Sequence, residues 1–86
     1  MRKINQKNVP LETPLTDSLE LGWYLRAVRR EAGITQREAA GLCNVGPRFL
    51  NELEHGKNTV ALGKVLQVLD GYGIRLHAFR RASGTR

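Results

Sequence analysis

Cysteine and long apolar runs are scarce, and each scarcity excludes something. One cysteine, Cys43, rules out an internal disulfide. That cysteine and two scattered histidines, His55 and His77, do not make a closed zinc site, so no metal is expected. No apolar run approaches the ~20 residues that span a bilayer. The opening Met1-Arg2-Lys3-Ile4-Asn5-Gln6-Lys7 is polar and has no apolar signal-peptide core. A soluble, cytoplasmic protein without membrane contact is the expectation. No Ser/His/Asp or Cys/His arrangement and no glycine-rich phosphate loop is present. A helical domain this small offers no obvious deep pocket. Neither an enzyme nor a cofactor is expected.

What is present is 86 residues with a formal charge of +6. The length fits one small domain, which buries only roughly 60% of its unfolded surface and gains from a partner. The charge sits at the two ends. Arg2, Lys3 and Lys7 face only Glu12 in the first segment, and Arg75, Arg80, Arg81 and Arg86 have no acid beside them in the last. Between residues 17 and 73 acids and bases balance. Basic ends suit phosphate attraction, but they serve equally as solubilising tails.

Residues 1–16, with Pro10 and Pro14, read as a flexible arm. A first helix is predicted to start at Asp17 or Ser18 as N-cap, with Glu20 in its first turn. Leu21, Leu25, Val28 and Ala32 give it one apolar face, and Gly33 stops it. Thr35 caps a second helix, Gln36 to Leu42, with Glu38 completing a capping box. Asn44 suits the left-handed turn that follows. Gly46 and Pro47 open a third helix that Gly56 closes, with Leu50 and Leu53 on its buried side. Thr59 is expected to cap a fourth helix facing inward through Leu62, Val65, Leu66 and Leu69. Gly71 and Gly73 end it. Residues 74–79 alternate with period two and predict a strand; residues 80–86 form a basic tail. The organisation is thus arm 1–16, helical domain 17–73, strand 74–79 and tail 80–86.

The stretch from Gln36 to Glu54 is the informative one. Two helices that cross closely need a small residue at the contact, and Ala40 fills that place beside Ala39. A tight turn must follow, and Asn44 supplies it. Val45, Leu50 and Leu53 pin the next helix, while Pro47, Arg48, Asn51 and Glu52 point outward. A supported helix with an exposed N-terminal half is what a DNA major groove admits. A plain helical hairpin in a small bundle remains the competing reading of the spacing.

The run Leu25-Arg26-Ala27-Val28-Arg29, then Gly33-Ile34-Thr35-Gln36, Ala39-Ala40, Asn44-Val45 and Leu50-x-x-Leu53-Glu54-x-Gly56-Lys57, resembles the Xre/Cro family of helix-turn-helix repressors. The stretch from Val45 to Leu66 is most similar to HipB-type antitoxins, the DNA-binding partners of HipA-like kinase toxins. The resemblance implies a mainly α fold: a four- to five-helix, lambda-repressor-like domain whose C-terminal β-strand pairs across a homodimer. Three positions depart from the family pattern. Asn44 stands for the usual turn glycine, Gly46-Pro47 for a polar cap pair, and Gly41 weakens the second helix by up to ~1 kcal/mol relative to alanine.

The resemblance also implies roles. Gly46, Pro47, Arg48, Asn51 and Glu52 would meet base edges. Arginine suits guanine O6 and N7, asparagine suits adenine N6 and N7, and a carboxylate accepts from cytosine N4 or repels phosphates at wrong sites. Thr35, Gln36, Arg37, His55, Lys57, Asn58 and Thr59 would meet phosphates, helped by the positive helix end at Gln36. Arg29 and Glu54 match the family's structural ion pair. Ile74, Leu76, Ala78 and Phe79 would form the dimer interface, since a lone strand leaves its backbone groups unpaired. The implied function is a repressor of a palindromic double-stranded operator, acting as an antitoxin that autoregulates its operon and binds a HipA-like kinase. The alternatives are a stand-alone phage-type or metabolic repressor, and an interaction module that inhibits a partner with little DNA binding. For each residue the plain reading stands beside these. Arg48, Lys57 and Lys64 are compatible with solvated charges, and Cys43 with a small buried apolar side chain.

Overall fold

The computed structural model describes residues 9–82. The first eight positions and the last four, and with them half of the arm and most of the tail, lie outside the described residues. Four helices occur among the described residues: α1 (Ser18–Glu31), α2 (Gln36–Cys43), α3 (Pro47–Glu54) and α4 (Leu62–Gly71). α3 packs on α1 and α2, and α4 packs on α2. Leu25, Leu50, Leu53 and Val68 are the largest fully buried side chains at the centre.

Each helix end has a local cause. The Asp17 carboxylate accepts from the Glu20 N–H at 2.8 Å and caps α1. The Glu20 carboxylate in turn accepts from the Thr16 N–H at 2.8 Å, which fixes the entry of the chain. Gly33 at φ 75° turns the chain out of α1. α2 carries a complete capping box between Thr35 and Glu38. Asn44 takes the left-handed conformation at φ 58° and ψ 45° and is the single non-glycine residue with positive φ among the described residues. Pro47 occupies the first turn of α3, where its missing N–H leaves no bond unmade.

The buried face of α1 is rotated from the one expected. Gly22, Tyr24, Leu25 and Ala27 are buried, Leu21 and Val28 are half-buried, and Ala32 is exposed at the C-cap. Gly22 explains the rotation. A Cβ there would lie 2.6 Å from the Leu53 carbonyl oxygen and 2.7 Å from that of Glu54. Only a glycine lets α1 lie so close to the end of α3. The Ser18 hydroxyl reinforces the contact by donating to the Gly56 carbonyl at 2.8 Å.

α4 departs from expectation twice. Its N-cap is Ala61, with no side-chain cap, and Thr59 is an exposed loop residue. Val60 packs against the core and Ala61 is extended, which delays the helix. The buried face is Val65, Val68 and Leu69, whereas Leu62 and Leu66 are exposed. The contact with α2 sets this rotation: a Cβ on Gly71 would meet Cys43 Sγ at 2.6 Å. Cys43 is buried, and burial pushes its thiol pKa up, in keeping with a small apolar filler. The Gln67 amide reaches back from α4 to the carbonyls of Cys43 and Asn44, both at 3.3 Å, and so satisfies groups that the end of α2 leaves open.

The expected strand over 74–79 is not formed: no strand is present among the described residues. Ile74 packs on the core, while Leu76, Ala78 and Phe79 are exposed. A ladder needs a second strand, and among the described residues none is present to pair with the segment. At the other end, the Tyr24 hydroxyl donates to the Pro10 carbonyl at 2.7 Å, so the inner part of the arm rests on α1. No helix among the described residues is long and apolar enough to cross a membrane.

Candidate nucleic-acid interface

α2, the turn at Asn44 and α3 bring most of the predicted site residues onto connected surface. Pro47, Arg48 and Asn51 lie exposed on α3, Glu52 is half-exposed beside them, and His55 follows at the helix end. Thr35, Gln36 and Arg37 sit at the start of α2, and Lys57, Asn58 and Thr59 lie in the exposed loop after α3.

The rigidity of α3 comes from beneath. Glu54 is the one buried charged residue among the described residues. Arg29 Nε donates to Glu54 Oε2 at 2.6 Å and Arg29 Nη2 donates to Oε1 at 3.0 Å, a two-pronged pair that joins α1 to α3. The third Arg29 nitrogen donates to the Ile34 carbonyl at 2.9 Å and ties in the loop before α2. The hydrogen bond to Glu54 raises the Arg29 pKa above its already high value. Removing one partner of such a pair costs about 3–5 kcal/mol, because the other charge stays buried.

The network continues to the surface. Gln36 Nε2 donates to Glu54 Oε1 at 3.0 Å, and Asn51 Nδ2 donates to Gln36 Oε1 at 3.1 Å. Gln36 therefore turns its side chain toward α3. At the start of α2 the capping box engages the Glu38 N–H and not those of Gln36 and Arg37. Those two amides lie in the first turn, at the positive end of the helix.

A second cluster surrounds Glu52. Arg48 Nε stands 3.4 Å from Glu52 Oε2, and Lys57 Nζ stands 3.2 Å from Glu52 Oε1. The Lys57 hydrogen bond is the main reason the Glu52 carboxyl titrates below its usual range. The Arg48 side chain is 92% exposed, so this contact orients it without covering it. His55 Nδ1 lies 2.7 Å from the Asn51 carbonyl, which turns the ring back onto its own helix. Lys64 Nζ sits 5.7 Å from the centre of the Phe49 ring and joins α4 to α3.

Two elements of the site carry no local sequence signal. The Gln36–Asn51 bond joins residues 15 apart, and Gln67 supports the turn from 23 and 24 residues away. Only the packing of α2, α3 and α4 reveals them. Ile74, Leu76, Ala78 and Phe79, expected at a dimer interface, are not brought together with α3; the His77 and Phe79 rings lie 6.3 Å apart along the exposed segment.

Comparison with known proteins agrees with this geometry. A family model described as a helix-turn-helix domain matches residues 20–82. The chain is 48% identical over 54 residues to an uncharacterized HTH-type transcriptional regulator, y4mF, of Sinorhizobium fredii, an alignment covering 63% of this chain and 71% of that one. With α2 and α3 packed together, joined by the turn at Asn44 and sharing a core that includes Ala39 and Ala40, the chain belongs to the helix-turn-helix family.

Proposed function

We propose that this protein is a sequence-specific DNA-binding transcriptional repressor, with α3 as the helix that enters the major groove. The observation that carries the reading is the combination of an exposed Arg48 and Asn51 with a buried Arg29–Glu54 pair directly beneath them. A recognition helix must hold its side chains still while presenting them, and this one does both. Gly46 and Pro47 bring its N-terminus close to the bases. Arg48 reads guanine, and Asn51 reads adenine. Glu52 sets the direction of Arg48 and penalises wrong sequences. The free amides of Gln36 and Arg37 take one phosphate beside Thr35, and His55, Lys57, Asn58 and Thr59 flank a second. The relative's name as a transcriptional regulator supports the same reading.

The working form in this proposal is a homodimer on a palindromic operator, with two α3 helices about 34–36 Å apart. Exposed Leu76 and Phe79, together with Ile74 and Ala78, supply the pairing segment, which forms a ribbon only when a second copy provides the other strand. The cellular role we infer is that of an antitoxin which represses its own operon and binds a HipA-like kinase toxin. The similarity to HipB-type sequences between Val45 and Leu66 supports that role.

A footprint over the upstream DNA of the protein's own operon tests the reading. Protection of two half-sites one helical turn apart is expected, with affinity that falls steeply as salt rises. Absence of any protected sequence at low salt would contradict it. For the antitoxin role, co-purification with a kinase-like protein is the expected result, and a stand-alone repressor would purify alone.

A further inference from the structure

One carboxylate on α3 is shared by two cations. Glu52 Oε1 accepts from Lys57 Nζ at 3.2 Å, and Glu52 Oε2 lies 3.4 Å from Arg48 Nε. Arg48 stands one helical turn earlier, and its contact is longer than an ordinary N–H···O bond. Lys57 is anchored twice, because its backbone N–H also donates to the Glu52 carbonyl at 3.1 Å. The turn before it is fixed as well. Gly56 sits at φ 84°, and a Cβ there would lie 2.5 Å from Leu19 Cδ1. The backbone at Lys57 is therefore held, while its side chain, 45% exposed, is free to swing.

We propose that Lys57 passes from Glu52 to a DNA phosphate on binding, and that the freed carboxylate then closes on Arg48 and sets its guanidinium plane for guanine. The proposal rests on the DNA-binding reading above and makes Glu52 a positioning residue for base selectivity. An exposed ion pair holds weakly, whereas the duplex backbone draws cations strongly. A phosphate brought beside Glu52 also repels its carboxylate, so the ammonium is drawn to one anion and released by the other. Both Glu52 oxygens are then open to Nε and one terminal nitrogen of Arg48, a two-pronged pair. The remaining edge of the guanidinium carries two N–H groups and matches the O6 and N7 acceptors of guanine. While Lys57 occupies one oxygen, Arg48 is held at one point and its plane can turn.

Two measurements on DNA with the full chain test the hand-over. Arg48→Ala first identifies the base pair that Arg48 contacts. In a titration against salt, Lys57→Met should lower the slope of log affinity by about 1, the mark of one lost phosphate contact. An unchanged slope would overturn the proposal, because Lys57 would then stay on Glu52 in the complex. At the identified pair, wild type should prefer guanine by about tenfold, the scale of one two-pronged contact. Glu52→Gln should cut that preference to about threefold or less, even as overall affinity rises with the loss of a negative charge. Lys57→Met should keep the preference, since Glu52 still holds Arg48. An undiminished preference in Glu52→Gln would equally overturn the proposal.

A measurement without DNA separates the hand-over from the DNA-binding reading. In the free protein, Lys57→Met should move the Glu52 carboxyl titration, followed by NMR, to higher pH, because the Lys57 hydrogen bond is what chiefly lowers it. An unmoved midpoint sinks the hand-over alone and leaves DNA binding standing. If wild type shows neither base preference nor salt-dependent binding, the DNA-binding reading fails and the hand-over with it.

Discussion

The two ends of the molecule are finished to different degrees. Where α1 meets α3, everything is closed. Gly22 removes a side chain, Ser18 ties the Gly56 carbonyl, and the Arg29–Glu54 pair is 10% and 1% exposed at its two side chains. From α4 onward, apolar surface is left uncovered: Leu62 is 68% exposed, Leu76 71% and Phe79 86%. A chain this short cannot cover every apolar side chain, and the closed end is the one that carries α3. The difference teaches that rigidity here is concentrated under the candidate recognition surface, while the C-terminal region is left for something else to complete.

Glu54→Ala should break the closed end most severely. It leaves Arg29 buried without its partner, and a loss of about 3–5 kcal/mol in thermal or denaturant unfolding is expected. Against a whole stability on the order of 5–15 kcal/mol, that is a large share of what holds the domain folded. A loss under about 1 kcal/mol would show that the pair is not the anchor.

Gly22→Val comes next. Its branched side chain meets the Leu53 and Glu54 carbonyls, and about 1–3 kcal/mol should be lost. Gly41→Ala is the matched control. A Cβ there meets nothing within 4 Å, so higher helix propensity should add up to about 1 kcal/mol. Opposite signs for the two changes sharpen the contrast between a closed contact and an open surface; equal signs would erase it.

At the open end, Leu76→Ser with Phe79→Ser should change unfolding by no more than about 0.5 kcal/mol, as for other exposed sites. In sedimentation the same pair should shift the protein from dimer to monomer. A large stability loss without a change in mass would mean that these residues belong to the fold of the single chain.

A pH-dependent effect concerns Tyr72. Its hydroxyl is buried without a hydrogen-bond partner, and burial, with Glu54 nearby, pushes its pKa far above the ordinary 10.0. Below about pH 10 the phenol is neutral in both folded and unfolded chains, and the group has no pH effect. Above that, only the unfolded chain ionises, so stability falls as pH rises toward the folded value. Tyr72→Phe should flatten this alkaline loss and stabilise the protein at neutral pH by about 1 kcal/mol or less. Buried Tyr24, whose pKa is also raised, leaves a residual slope.

The closed end was also the more readable part of the sequence. Asp17, the Thr35–Glu38 box, Asn44, Gly46-Pro47 and the glycines at 33 and 56 act on their own neighbours, so spacing alone places three helices. What escaped depends on distant partners. Gly22 carries no apolar signal, yet it rotates α1. The stripe Leu62, Val65, Leu66 and Leu69 scores well as a helix face, but Gly71 against Cys43 selects another rotation. Thr59 is a good cap residue two positions too early, because Val60 is drawn into the core. Residues 74–79 alternate as a strand does, but alternation does not supply a neighbour. On the candidate site, residue types announced Arg48 and Asn51, while the Gln36 bridge between Glu54 and Asn51 exists only once α2 and α3 are packed.

The central claim is that α3 reads DNA through Arg48 from a buttressed position. Its most direct test is a titration of the selected inverted repeat with wild type and Arg48→Ala at several salt concentrations. Wild type should bind tightly with a steep salt slope, and Arg48→Ala should lose about 1–3 kcal/mol, a loss that vanishes when the contacted base pair is also changed. Equal affinity of the two proteins for the intact site would contradict it.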